Sequence, residues 1–121
     1  MFATLERVTR MTPTAFLELA LALPEVVAGS HMGHGDLRVR TKIFATPADR
    51  EGGKAVLKLT PEQQQMLCEA EPAIFAPVPG GWGARGWTHL TAAAADPAAA
   101  RSALWTAWRN VAPKALRTLH P

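Results

Sequence analysis

The sequence predicts an α+β domain in which a mostly antiparallel sheet of about five strands is flanked by helices. Thr12-Pro13, Thr60-Pro61 and Asp96-Pro97 each place a side-chain oxygen at a helix N-cap and a proline at the first helical position, where the missing N–H costs nothing. Between the first two of these starts, residues 26–59 break into short β-rich segments. The resulting order of helix, several strands, helix, strand, helix and helix fits a sheet covered by segregated helices.

Each element has a local reason. Over residues 13–23, Phe16, Leu19, Ala20 and Leu23 recur at helical spacing, Leu17 and Leu21 widen the apolar face, and Pro24 stops the helix. Strands are expected from Val26 onward, over Leu37-Arg38-Val39, over Lys42 to Ala45 and over Lys54 to Leu59. The second and third of these form a hairpin whose tip is Arg40-Thr41. A tight primed turn prefers Gly or Asn there, so either the turn is longer or it is strained. Asp49-Arg50-Glu51-Gly52-Gly53 reads as a loop tip. Thr60 and Gln63 match a capping box, opening a helix to about Glu71 with Met66 and Leu67 inward, ended by Pro72. A fifth strand is expected over about 86–92, after a Gly-Trp-Gly turn. The helix from Pro97 to about Asn110 sets Leu104, Trp108 and Val111 on one stripe and Arg101, Trp105 and Arg109 on a neighbouring one, and Pro113 opens a short last helix.

At 121 residues and 13.0 kDa, the chain reads as a single domain, 1–121, large enough to bury a core without metal or disulfide staples. Cys68 is its one cysteine, which excludes an intrachain bridge and points to a reducing cytoplasm. The apolar stretch from Ala15 to Leu23 contains Glu18 and is far shorter than the roughly 20 residues a membrane span needs. No export signal is expected. The net charge of +3 is unevenly distributed. Residues 80–121 hold five Lys and Arg against Asp96 alone, and all four tryptophans fall there too. Cations interleaved with aromatic rings suit a surface that meets an anion.

The motifs Leu23-Pro24-Glu25-Val26, Gly33-His34-Gly35-Asp36-Leu37-Arg38-Val39, Lys42-Ile43-Phe44-Ala45, Leu57-Lys58-Leu59 and Pro79-Gly80 through Trp87 occur in that order. Together, over about residues 12–117, they resemble the MmcQ/YjbR-like proteins. The resemblance implies an antiparallel sheet with flanking helices, similar in outline to secretion-chaperone-like domains, and a pair of strand-loop wings of the kind proposed to contact DNA. The sequence differs from the common pattern at Gly35, where proline is usual, at Leu37, where phenylalanine is usual, and in a hairpin tip without glycine.

Two binding surfaces are candidates. Arg38, Arg40 and Lys42 on the hairpin, with Arg85 and Trp82 on the glycine-rich segment, could contact nucleic-acid phosphates. Strand alternation turns Arg38 away from the side taken by Leu37 and Val39. The alternative reading of the hairpin cations is protection of a sheet edge against aggregation. The second surface is a groove beside Trp82 and Trp87, with His34 singled out by its glycine-histidine step, which would take a protein or a small anion. The backbone of Gly80 to Gly86 could cradle such an anion; the plainer account is a turn whose two indoles plug the sheet edge. The stripe Arg101, Trp105, Arg109 could face a partner or cover the sheet, and monomer and homodimer both stay open.

His31 and His34 have metal-like spacing, and His89 could join them, but only Asp36 is nearby and zinc needs three or four ligands. Hydrogen bonding within a loop is the favoured use. Cys68 in an amphipathic helix reads as a small buried group, Glu69 and Glu71 as a solvated helix end, and neither Ser30 nor Ser102 sits in a nucleophile elbow. No catalytic residue, metal or cofactor is assigned. The expectation is a non-catalytic binding module that associates weakly with DNA, or alternatively takes a protein or small anion in the tryptophan groove.

Overall fold

A computed structural model describes residues 11–31, 33–49 and 53–121. The elements are α1 (Pro13–Leu21), β1 (Val26–His31), β2 (His34–Val39), β3 (Lys42–Ala45), β4 (Lys54–Lys58), α2 (Pro61–Ala70), β5 (Phe75–Pro77), α3 (Gly81–Ala84), β6 (Trp87–Thr91), α4 (Pro97–Val111) and α5 (Lys114–Leu119). The strands form one antiparallel sheet in the order β1-β2-β3-β4-β6-β5. Its sixth strand, β5, was not anticipated: three residues ending in Pro77 carry no strand-length pattern, and β5 exists by pairing Phe75 with Leu90.

The three proline-led helices start as expected. Thr12, Thr60 and Asp96 accept hydrogen bonds from the amides of Ala15, Gln63 and Ala99 at 3.0, 3.1 and 2.7 Å. Gln63 closes the capping box by accepting from the Thr60 amide. Helix α1 ends at Leu21, short of Pro24, because residue 23 already belongs to the turn into β1. On α2, Met66 faces solvent at 61% exposure while Leu67 and Cys68 pack against the core. The expectation that Met66 points inward fails because the core-facing side of this short helix is taken by its neighbours.

Helix α4 lies across β3 and β4 and against α1. Ala100, Ala103 and Ala107 let its axis approach closely, and Leu104 and Trp108 fill the space beside Phe16, Leu37, Phe44 and Leu57. The fully buried Trp108 donates from Nε1 to the Pro24 carbonyl at 3.0 Å, satisfying the one polar atom the ring would otherwise bury unpaired. Burying a Trp of this kind is worth about 3–5 kcal/mol against truncation to alanine.

The Arg40-Thr41 tip is a two-residue turn, with Val39 paired to Lys42 and positive φ at both residues, 48° and 72°. The strained alternative is therefore the one adopted. A register shift between Leu37 and Arg38 makes Leu37 face Ala45 while Arg38 faces Ile43. The extra residue, Phe44, explains why both Phe44 and Ala45 are buried in a strand that should alternate. Replacing Thr41 with glycine removes a β-branched side chain from the left-handed region. The Thr41→Gly variant is expected to gain about 1 kcal/mol in urea unfolding; no gain would mean the tip is held by contacts beyond its backbone geometry.

Candidate functional site

The helices cover one face of the sheet. The other face carries Val27 and Arg38, then Ile43, Thr46 and Val56, then Trp87 and His89, placed by strand pairings such as Val27↔Arg38, Val56↔His89 and Lys58↔Trp87. Because Phe44 is the extra residue of β3, Ile43 and Thr46 border this same side despite their odd spacing. An apolar cavity of about 240 Å³ opens here, lined by Ile43, Thr46, Val56, Val78, Trp82 and Trp87.

The two indoles meet edge to face, with centroids 5.8 Å apart and planes at 74°. Each carries a cation: Lys58 Nζ lies 4.8 Å from the Trp87 centroid and the Arg85 guanidinium carbon 5.6 Å from that of Trp82. Trp82 is 59% exposed, so a large apolar ring stands in solvent beside two positive charges. Trp87 is half-buried on a strand flanked by β4 and β5. It therefore does not plug a sheet edge.

The glycine-rich segment coils into α3 rather than an open turn. Its amides at Ala84, Arg85 and Gly86 donate to the carbonyls of Gly80, Trp82 and Gly83, which takes these three of the segment's amides out of any anion cradle. Backbone proximity explains two of its glycines. A Cβ on Gly83 would sit 1.7 Å from the Val78 carbonyl oxygen, and one on Gly86 would sit 1.9 Å from that of Leu59. Gln64 on α2 fixes the segment from behind: its amide nitrogen lies 3.0 Å from the Gly83 carbonyl and 3.1 Å from both the Trp87 carbonyl and Thr88 Oγ1. The sequence gives no sign of this role, because a glutamine on a polar helix face reads as solvated.

The hairpin cations behave differently from the expectation of a bare basic wing. Arg38 forks onto the fully buried Asp36, Nε to Oδ1 at 2.7 Å and Nη2 to Oδ2 at 2.9 Å. That hydrogen bonding holds the Arg38 guanidinium above its ordinary pKa. Asp36 and Arg38 are two residues apart on one strand and so share a face, which is the signal that could have revealed the pair. Arg40 likewise forks onto Glu25, with Nη2 2.9 Å from Oε2. The Arg40 hydrogen bond lowers the Glu25 pKa and raises that of Arg40. Both Arg40 and Glu25 are exposed, so salt screens the pair. Lys42 is exposed at the start of β3.

His34, Asp49 and His89 border a second cleft on the open face. Among the described residues no group of three or more His, Cys, Asp or Glu side chains could hold a metal ion. The His31 side chain and residues 50–52 lie outside the described residues. Burial pushes the Cys68 thiol pKa up, the opposite of what a nucleophile needs. The structure thus brings Trp82, Trp87 and Arg85 together, places His34 apart from them on the border of the adjoining cleft, and leaves Arg40 and Lys42 at the hairpin tip.

Among the described residues these elements make an α+β arrangement: an antiparallel sheet with helices on one face and an indole-lined groove on the other. The chain belongs to the YjbR family, whose profile matches residues 21–110. Its fold is similar to that of a crystal structure of Deinococcus radiodurans protein DR2400, which carries a DUF419 domain, with a TM-score of 0.72 at 17% identity over 91% of this chain and 88% of the other. At that identity the likeness is one of fold. No protein in the curated set matches the sequence. Among the described residues no helix is long and apolar enough to cross a membrane.

Two outcomes follow from this geometry. Gly83→Ala is expected to lose about 3 kcal/mol or more in chemical denaturation, whereas Gly81→Ala, whose Cβ would meet open space, is neutral or stabilising by about 0.5 kcal/mol. Equal losses would show that the Val78 contact does not constrain α3. The Glu25 shift gives a pH test. A carboxylate with a depressed folded pKa contributes stability that is present above its unfolded pKa and lost as pH falls through the folded one. The advantage of the wild type over Glu25→Gln should therefore be present at neutral pH and disappear in the acid range below the ordinary carboxylate pKa, measured by thermal unfolding at a series of pH values.

Proposed function

We propose that the chain is a non-catalytic binding module that takes a small organic anion with an aromatic body in the Trp82/Trp87 cavity. The observation that carries this reading is the pairing of an apolar cavity with indole walls and two cations already seated on those indoles. A flat apolar group gains area burial against Ile43, Val56 and Val78 and edge or face contact with the rings. Lys58 and Arg85 favour a negative charge at the rim.

A second reading is weak association with DNA through Arg38, Arg40, Lys42, Arg85 and Trp82. The exposure of Trp82 beside Arg85, with Lys42 solvent-facing, supports it, since an open indole stacks on unpaired bases and cations meet phosphates. Against it weighs the engagement of Arg38 and Arg40 by Asp36 and Glu25: each would have to trade a bidentate carboxylate for a phosphate.

The two are separable in one set of titrations. Quenching of tryptophan fluorescence by phenylvalerate is expected to saturate and to weaken about tenfold or more in Trp82→Ala, a loss typical of an aromatic anchor. Anisotropy of a labelled DNA duplex at low and near-physiological salt, for the wild type and for an Arg38/Arg40/Lys42→Ala variant, tests the other reading. Binding that falls steeply with salt and vanishes in the triple variant would put DNA on the hairpin and displace the cavity as the main site. Absence of both signals would remove both readings.

A further inference from the structure

We infer that the cavity is one half of a longer groove whose other half recognises an acid, and that the ligand is an elongated aryl-alkyl acid. This rests on the cavity reading above and adds the head-group site. A second cleft of about 490 Å³ is bordered by His34, Lys54 and His89 among others. Thr46 and Val56 border both spaces, so the two adjoin across the open face.

The pairing of β4 with β6 gives the groove its order. Along it the open face presents Lys58 opposite Trp87, then Val56 opposite His89, then Lys54 opposite Thr91. Successive pairs are two residues apart, a step of about 7 Å. A ring held on Trp87 therefore has an apolar step beside Val56 and reaches an imidazole one step on and an ammonium two steps on. That sequence of surfaces matches a molecule with an arene, a short methylene chain and a polar end.

The polar end is called for by His89. Its Nδ1 is buried and has no hydrogen-bond partner among the described residues, a state that costs free energy until a partner arrives. Imidazole Nδ1 either donates or accepts according to the group it meets. The charge around the groove selects an acid: Lys54 borders it and Lys58 and Arg85 lie against its two indoles, against Asp49, which has an interaction of its own. The nearby Asp36 and Arg38 neutralise each other. A carboxylate in the cleft beside His89 and Lys54 would meet the surplus positive charge, and a turn of the imidazole about its Cβ–Cγ bond would bring the buried nitrogen out to it.

The test compares phenylvalerate with its uncharged amide, phenylvaleramide, by isothermal titration calorimetry against the wild type, Lys54→Gln and His89→Leu. Lys54 is exposed, so Lys54→Gln keeps the comparison valid if His89→Leu fails to fold. The acid is expected to bind the wild type about tenfold more tightly than the amide, a ratio typical of one charge-assisted contact. In each folded variant that ratio should fall to about threefold or less, with amide affinity unchanged. Equal affinities of acid and amide for the wild type would overturn the head-group site and leave the tryptophan cavity standing. A preference for the acid that survives both substitutions would overturn it as well, by putting the acid elsewhere. If neither compound binds, the cavity reading and this extension fail together.

Discussion

The seating of α4 on the sheet governs the rest of the molecule. Three alanines on its inner face bring the helix close, and Trp108 fills the gap beyond them with its indole nitrogen tied to the Pro24 carbonyl. That bond joins a late helix to the turn between α1 and β1, so the first and last thirds of the chain close over one core. Among the described residues the helices cover one face of the six-stranded sheet. The opposite face must then be made presentable to water by its own side chains, and how it does so defines what it can bind.

It does so unevenly. Near the hairpin the open face is neutralised from within: Asp36 takes Arg38, and Glu25 takes Arg40. Near β6 no carboxylate among the described residues pairs with Lys58 or Arg85, which lie on indoles instead. A cation over a ring keeps its charge and most of its solvation, so these two remain able to attract an anion, whereas the two arginines have already answered their charge. Positive charge in the sequence is therefore a poor guide to positive potential on the surface, because neighbouring carboxylates cancel it selectively.

The parts of the fold written in local chemistry were legible in the sequence. N-cap oxygens with following prolines marked three helix starts, and the alternation in 54–59 marked β4, which ends at Lys58, because those signals need only a few adjacent residues. What was not legible depends on distant partners. β5 is a strand only because Leu90 and its neighbours offer a ladder, and Met66 is exposed only because Leu67 and Cys68 meet the core first. The site was half legible. The Gly-Trp-Gly segment announced Trp82 and Arg85, yet its support by Gln64 and the cation on Trp87 arise from contacts across some twenty or more residues. The Asp36–Arg38 pair was within reach of strand alternation, since residues two apart share a face.

The extra residue in β3 links these strands of argument. Without it, Phe44 and Ala45 would point to opposite faces, and one of them would stand on the open side. With it, both are buried and Thr46 rather than Ala45 reaches the groove wall beside Ile43. The same irregularity that lets the core accept two consecutive apolar side chains thus supplies the shared border between the indole cavity and the histidine cleft. Core packing and groove shape are set by one residue, so selection on either would act on both.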